Sequence, residues 1–210
     1  NCGSSSVKYQ VYNWDKHEIL ALGITERIGI GDSFIKHDVK HAPLPVTVDV
    51  IYLRFLMSHL KDIRHLVENW LESVEPGGYL IIDELEDIYT DTKIFRDYLD
   101  ISNGLIRSQG ADLFIGKVLP NKIEGLHLTC NVSNLIPVND HLAASWFYPN
   151  TVSIWNTEEW VRNKLNENER MRISDELLRM SELKSSVSSI TWRMRRMILR
   201  NTKKITYNSA

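Results

Sequence analysis

Four acids, Asp83, Glu84, Glu86 and Asp87, fall within five residues directly after the apolar run 79–82. Carboxylates crowded in this way repel one another unless a guanidinium, a hydroxyl or a metal ion shares their charge. Other charged residues stand at comparable places. Asp15 follows the run 10–14, Asp32 follows Ile28 and Ile30, and Arg54 closes a β-branched and aromatic stretch at 48–55. Three kinds of chemistry are open to such a set: accepting from the hydroxyls or amino groups of a ligand, pairing carboxylate with guanidinium, or holding a metal. Among the seven histidines only His37 and His41 stand at His-x-x-x-His spacing, and no further ligand pattern accompanies them, so no catalytic metal is expected. Arg54 can fork onto two carboxylate oxygens. It is therefore expected to hold Asp83 and Glu84, with Glu86 and Asp87 solvated further along a loop. Taken singly, Asp15 and Asp32 read as ordinary turn acids; their joint placement makes them candidates. His59 is a candidate catalytic base, though a place at a helix entry near Asp62 explains it as simply.

These residues need elements that bring them to one edge. Residues 10–14 read as a strand, 18–22 as a helix stopped by Gly23, and 28–30 as a second strand. Residues 48–55 read as a buried strand. Ile63, Leu66, Val67, Trp70, Leu71 and Val74 then keep helical spacing, and Pro76-Gly77-Gly78 turns the chain into the strand 79–82. Apolar strands alternating with helices imply a mostly parallel sheet covered on both faces. Its ligands bind at the carboxyl ends of the strands, which puts all the acids on the rim of one crevice.

The second half changes character. A helix is expected over 94–106, a short one from Asp112 to Glu124, and a half-exposed strand where Leu126, Leu128, Cys130 and Val132 alternate with polar residues. Helices follow between 157 and 183, and 189–199 is favoured as a final strand over a basic helix. Its arginines at 193, 195, 196 and 200 are most simply a solvated face. The aromatic group Trp146, Phe147, Tyr148 and Trp155 reads either as the core of a lid or as a substrate cage.

Composition sets outer bounds. The chain has 210 residues, 43% apolar and 25% charged, with a net charge of −2, which suits one ordinary domain, or one domain with a small appendage. That charge gives no general pull towards nucleic acid or anionic membrane, so neither is expected as a partner. Two cysteines fit a reducing, cytoplasmic setting. No run reaches the length of a spanning helix.

The stretch "VDVIYLRFLMSHLKD", a helix, then "VEPGGYLIIDELED" resembles the fourth strand, helix and fifth strand of class I S-adenosylmethionine-dependent methyltransferases. "RSQGADLFIGKVLPNKIEGLHL" is similar to the next segment of a bacterial branch acting on small molecules. The resemblance covers roughly 48–135. It implies a Rossmann-like, doubly wound α/β fold, with a cofactor domain at 1–136, a helical lid at 137–185 and a returning strand and tail at 186–210. Within "NCGSS", Gly3 matches the family's glycine-rich first motif, while Asn1 and Ser5 stand where it prefers glycine. By the same resemblance Asp15 accepts from ribose hydroxyls, and Asp32, Ser33 and Phe34 border the adenine. Leu53, Arg54 and Phe55 border the methionine moiety. Glu84, Trp146 and Tyr148 fall on the substrate side.

The activity so implied is methyl transfer from S-adenosylmethionine to an O, N or C nucleophile of a small molecule, with S-adenosylhomocysteine as product. Between Ser5 and Val11 there is too little chain for the family's usual first helix, and its first strand is missing. A catalytically silent methyltransferase-like binding protein therefore stays open, as does a nicotinamide-dependent oxidoreductase, although no G-x-G-x-x-G is present. The oligomeric state is not readable.

Overall fold

The computed structural model describes residues 7–13, 18–25, 47–183 and 187–203. Gly3, matched to the glycine-rich first motif, and Asp15, Asp32, Ser33 and Phe34, expected at ribose and adenine, lie outside them. The first departure from expectation is β2 (Glu18–Thr25), which is a strand and not a helix. It pairs antiparallel with β1 (Val7–Asn13), from Val7 opposite Thr25 to Asn13 opposite Glu18. The apolar residues at 19–22 are consecutive, and a hairpin partner four residues away satisfies their backbone where an isolated helix of five residues could not persist. The hairpin forms its own two-stranded sheet.

The main body is mixed α/β. Its four-stranded sheet has the order β3-β4-β6-β5, with β3 (Val48–Arg54), β4 (Val74–Thr90), β5 (Leu128–Val138) and β6 (Ile190–Arg200). β3 and β4 run parallel, joined by α1 (Ile63–Glu72), whose Ile63, Leu66, Val67 and Trp70 form the buried stripe. β6 returns antiparallel between β4 and β5. The Pro-Gly-Gly stretch interrupts the β3 ladder between Val74 and Tyr79. Gly77 sits at φ +88°, a conformation suited to glycine. A Cβ on Gly78 would lie 2.4 Å from the Asp49 carbonyl oxygen, so that position needs a bare backbone.

Alternation along the strands assigns two cores to opposite faces. On one face Ile51, Leu53, Leu80, Ile82, Met197 and Leu199 pack with α1. On the other, towards the far end of β4, Leu85, Ile190, Trp192 and Met194 meet the helices of the second half. Those helices are α2 (Lys93–Ser108), the single-turn α3 (Leu119–Lys122), α4 (Asp140–Ser153), α5 (Glu159–Lys164) and α6 (Glu167–Glu182), of which α3 belongs to the first core. In the second core Tyr98 stacks between Phe147, at 4.3 Å, and Trp155, at 5.4 Å. Such aromatic pairs add about 0.5–1.5 kcal/mol each beyond their burial. Asn166 and Glu169 close a reciprocal capping box at the start of α6.

β4 is 17 residues long and runs through all four acids instead of ending at them. The acids are tolerated inside a strand because each finds a partner on an adjacent element. Arg196 donates to Asp83 at 2.7 and 2.6 Å, and Arg195 donates to Glu86 at 2.7 Å. Ser133 of β5 donates to Glu86 at 2.6 Å, and Lys117 pairs with Asp87 at 2.8 Å. Glu86 is thus buried, not solvated, and Arg195 and Arg196 are counter-ions of these acids, Arg195 partly buried and Arg196 half exposed.

Candidate functional site

The carboxyl end of β3 lies beside Asp83 of β4, and the chain bends sharply there. Arg54 is opposite Asp83, and the Phe55 amide donates to the Asp83 carbonyl at 3.1 Å. Phe55 then takes φ +52°, the only non-glycine residue in that region among those described. A left-handed conformation costs a residue with a Cβ about 1–2 kcal/mol, and such strain gathers at functional sites. What holds the bend is Glu84. Its Oε1 accepts from the Leu56 amide at 2.7 Å and the Met57 amide at 2.8 Å, and these open the 3-10 turn Met57–His59.

Glu84 is fully buried, and its Oε2 has no hydrogen-bond partner among the described residues. Burial, against the opposing effect of the amides of Met57, Leu56 and Ser58, pushes its carboxyl up to about 7. Asp83, on the other face of the strand, behaves oppositely. Burial would raise it, but the Arg196 and Tyr52 hydrogen bonds hold it below the ordinary carboxylate range. Tyr52 donates its hydroxyl to Asp83 at 2.8 Å, and burial together with that bond raises the phenol. Two adjacent carboxyls are therefore driven apart, one ionised and one close to neutral pH. Environments that separate neighbouring titratable groups are a mark of functional sites.

Arg54 does not hold the acids, since Arg196 has taken Asp83. Its guanidinium instead lies 4.7 Å from the centre of the Phe55 ring, and no carboxylate pairs with it among the described residues. Phe55 meets Trp192 edge-on at 5.9 Å, and Trp192 meets Trp146 at 5.2 Å. The structure therefore brings Arg54 and Phe55 to Trp146 through Trp192, a residue the sequence reading passed over, while Glu84 holds the backbone that follows Phe55. Leu53 is buried in the first core, facing α1 and not the bend's open side. Tyr148 packs partly buried against the second core. His59 ends the 3-10 turn with its surface exposed, and desolvation by the protein packed around it lowers its pKa. The signal that could have revealed Arg195 and Arg196 was their register. Acids at 83 and 84 face arginines at 196 and 195 when a returning strand lies antiparallel.

A separate cleft of about 360 Å³ opens between the far end of β4 and α2, lined by Asp87, Tyr89, Arg96, Asp100 and Asn103 among others. Among the described residues no group of three or more His, Cys, Asp or Glu side chains is arranged to hold a metal ion.

No protein-family model matches the chain. Curated relatives are acetate kinases. That of Geobacter metallireducens is 64% identical over 39 residues, 19% of this chain and 9% of the relative. That of Natranaerobius thermophilus is 34% identical over 110 residues, 50% of this chain and 27% of the relative. That of Thermoanaerobacter pseudethanolicus is 55% identical over 143 residues, 66% of this chain and 34% of the relative. The chain thus spans between about a tenth and about a third of the length of these relatives. Similar solved structures are methyltransferases. One is phosphoethanolamine N-methyltransferase 2 of Haemonchus contortus with S-adenosylhomocysteine, at 11% identity and TM-score 0.41, covering 80% of this chain and 37% of that one. Another is the N-methyltransferase NodS of Bradyrhizobium japonicum with S-adenosylhomocysteine, at 11% identity and TM-score 0.35, covering 80% and 53%. No helix among the described residues is long and apolar enough to cross a membrane.

Proposed function

We infer that the body of this chain serves S-adenosylmethionine-dependent methyl transfer to a small-molecule nucleophile. The observation that carries this reading is the strained bend at the end of β3. It presents Arg54, a guanidinium that no described carboxylate pairs, beside an aromatic ring, within the stretch whose sequence resembles the methionine-binding edge of class I methyltransferases. The cofactor's amino-acid end carries a carboxylate, and Arg54 is the described residue that fits it, by a two-pronged hydrogen bond. Phe55 would border the same moiety. When bound, the cofactor supplies a methyl group already activated on sulfur.

The chain's own task is alignment and exclusion of water. Glu84 fixes the bend, and Trp192 and Trp146 wall the side towards the second core. Alignment can contribute up to roughly 7–11 kcal/mol in favourable cases. The helices α4, α5 and α6 act as a lid on this reading, and the acceptor is a small, largely apolar molecule meeting Trp146 and Tyr148.

A second reading is phosphoryl transfer involving acetate, favoured by the matches to acetate kinases over 39 to 143 residues. Calorimetric titration with S-adenosylhomocysteine, ATP and NAD separates the two, and also tests the nicotinamide alternative. S-adenosylhomocysteine should bind, and Arg54→Ala should weaken it by about 1–3 kcal/mol. Binding of ATP alone, with acetyl phosphate formed from acetate, would replace this reading by the second. Binding of S-adenosylhomocysteine with no methyl transfer to any of a panel of small amines, phenols and thiols would leave a silent binding protein.

A further inference from the structure

We propose that β5 is a dimerisation edge, pairing antiparallel with β5 of a second copy of this chain so that two four-stranded sheets become one. β5 bonds to β6 on one side, and no described strand pairs with the other. Of its residues only Val138 is buried, and Leu135 is 58% exposed, Ile136 45% and Val132 41%. An edge left in this state is a template for another strand, and proteins that remain monomeric guard it with charge, proline or a bulge.

Here the guards sit only at the ends. A register shift falls between Leu128 and Cys130, and Pro137 lacks an amide hydrogen. Between them Cys130–Ile136 carries no charged residue at all. That absence argues for a second copy as the occupant. Across a two-fold axis every residue near the centre meets itself or its near neighbour, so any charge would face its like. An uncharged strand is self-complementary where a strand bearing lysine or glutamate is not.

The faces agree as well. By alternation Val132 and Ile136 lie on one face and Leu135 on the other, so joining two copies would bring apolar side chains together on both faces. Side-chain parity permits only registers whose paired residue numbers sum to an even value, because a slip of one residue would oppose the two faces. Asn131 and Ser133 already bond Arg195 and Glu86 within the chain, and pairing through the backbone leaves those contacts intact. Seven residues of edge bury less than a standard interface of about 1,200–2,000 Å². The dimer is accordingly one that forms and separates with concentration.

Sedimentation velocity on the full chain from about 1 to about 200 µM tests this, a range set for a small, reversible interface. The sedimentation coefficient should rise from that of a monomer to that of a dimer and stop there. The variant Val132→Lys/Leu135→Lys, checked for unchanged circular dichroism, should stay monomeric throughout. In the native chain, hydrogen exchange at alternate amides of 130–136 should slow at the higher concentration. A native chain that stays monomeric, or exchange in β5 that ignores concentration, overturns the proposal. So do assembly beyond a dimer, which means head-to-tail pairing, and a lysine variant that dimerises as the native chain does.

Discussion

Replacing Glu84 by glutamine tests the physical account of the bend most sharply. The amide side chain would keep an acceptor for the Leu56 and Met57 amides but cannot ionise. In the native chain the carboxyl rises from its ordinary value of 4.5 to about 7 on folding. Below the lower value both states hold the proton and the residue adds nothing to pH dependence. As pH rises, the unfolded chain ionises first and gains, so the folded state is penalised increasingly until pH passes about 7 and is constant thereafter. Integrating between pH ~5 and pH ~8 gives a loss of about 2–3 kcal/mol in the native chain from this group alone, which the Glu84→Gln variant lacks. Urea unfolding of both proteins at several pH values in that window measures it. The two curves should diverge, the variant becoming relatively more stable as pH increases. Parallel curves would mean that the Glu84 carboxyl titrates in the fold as it does in the unfolded chain, and that its dry oxygen has a partner.

Arg196→Ala should cost about 1–2 kcal/mol, discounted because the arginine is half exposed, and should raise the pKa of Asp83. Asp83 is held low in the fold, so the native stabilisation is present above its unfolded pKa and lost as pH falls through the folded one. The variant should show less of this acid-side loss in a pH series of melts. Gly116→Ala should cost about 1–3 kcal/mol by denaturant unfolding, because a Cβ there would lie 2.8 Å from the Leu85 carbonyl oxygen. Trp155→Ala should cost about 3–5 kcal/mol by the same measurement, since it empties a fully buried site against Tyr98.

The elements whose evidence is local were legible in the chain. Trp70 and its helical neighbours, the two glycines of Pro-Gly-Gly, and the final strand at 190–200 all follow from periodicity or backbone demand. The N-terminal hairpin was misread because Ile19, Leu20, Ala21 and Leu22 are consecutive apolar residues, which neither period distinguishes. The site was partly legible. A cluster of acids announces that something must answer it, but which cation does so depends on strand order. Arg54, near in sequence and at the next strand's end, is passed over for Arg196, 113 residues away, because β6 inserts beside β4. The dry environment of Glu84 depends on the turn folding over it, and no local pattern encodes that.

The two cores lie on opposite faces of the sheet and share only the long strands β4 and β6. Such an arrangement can open in halves. Loosening the helices of the second core would leave the first, with α1 and β3, packed against its own face. Native-state exchange under mild denaturant should then resolve two cooperative units, with protection stepping down along β4 between Ile82 and Leu85. Glu84 and the bend it holds sit on that seam, so a local opening of the second half would reach them while the rest of the chain stayed folded.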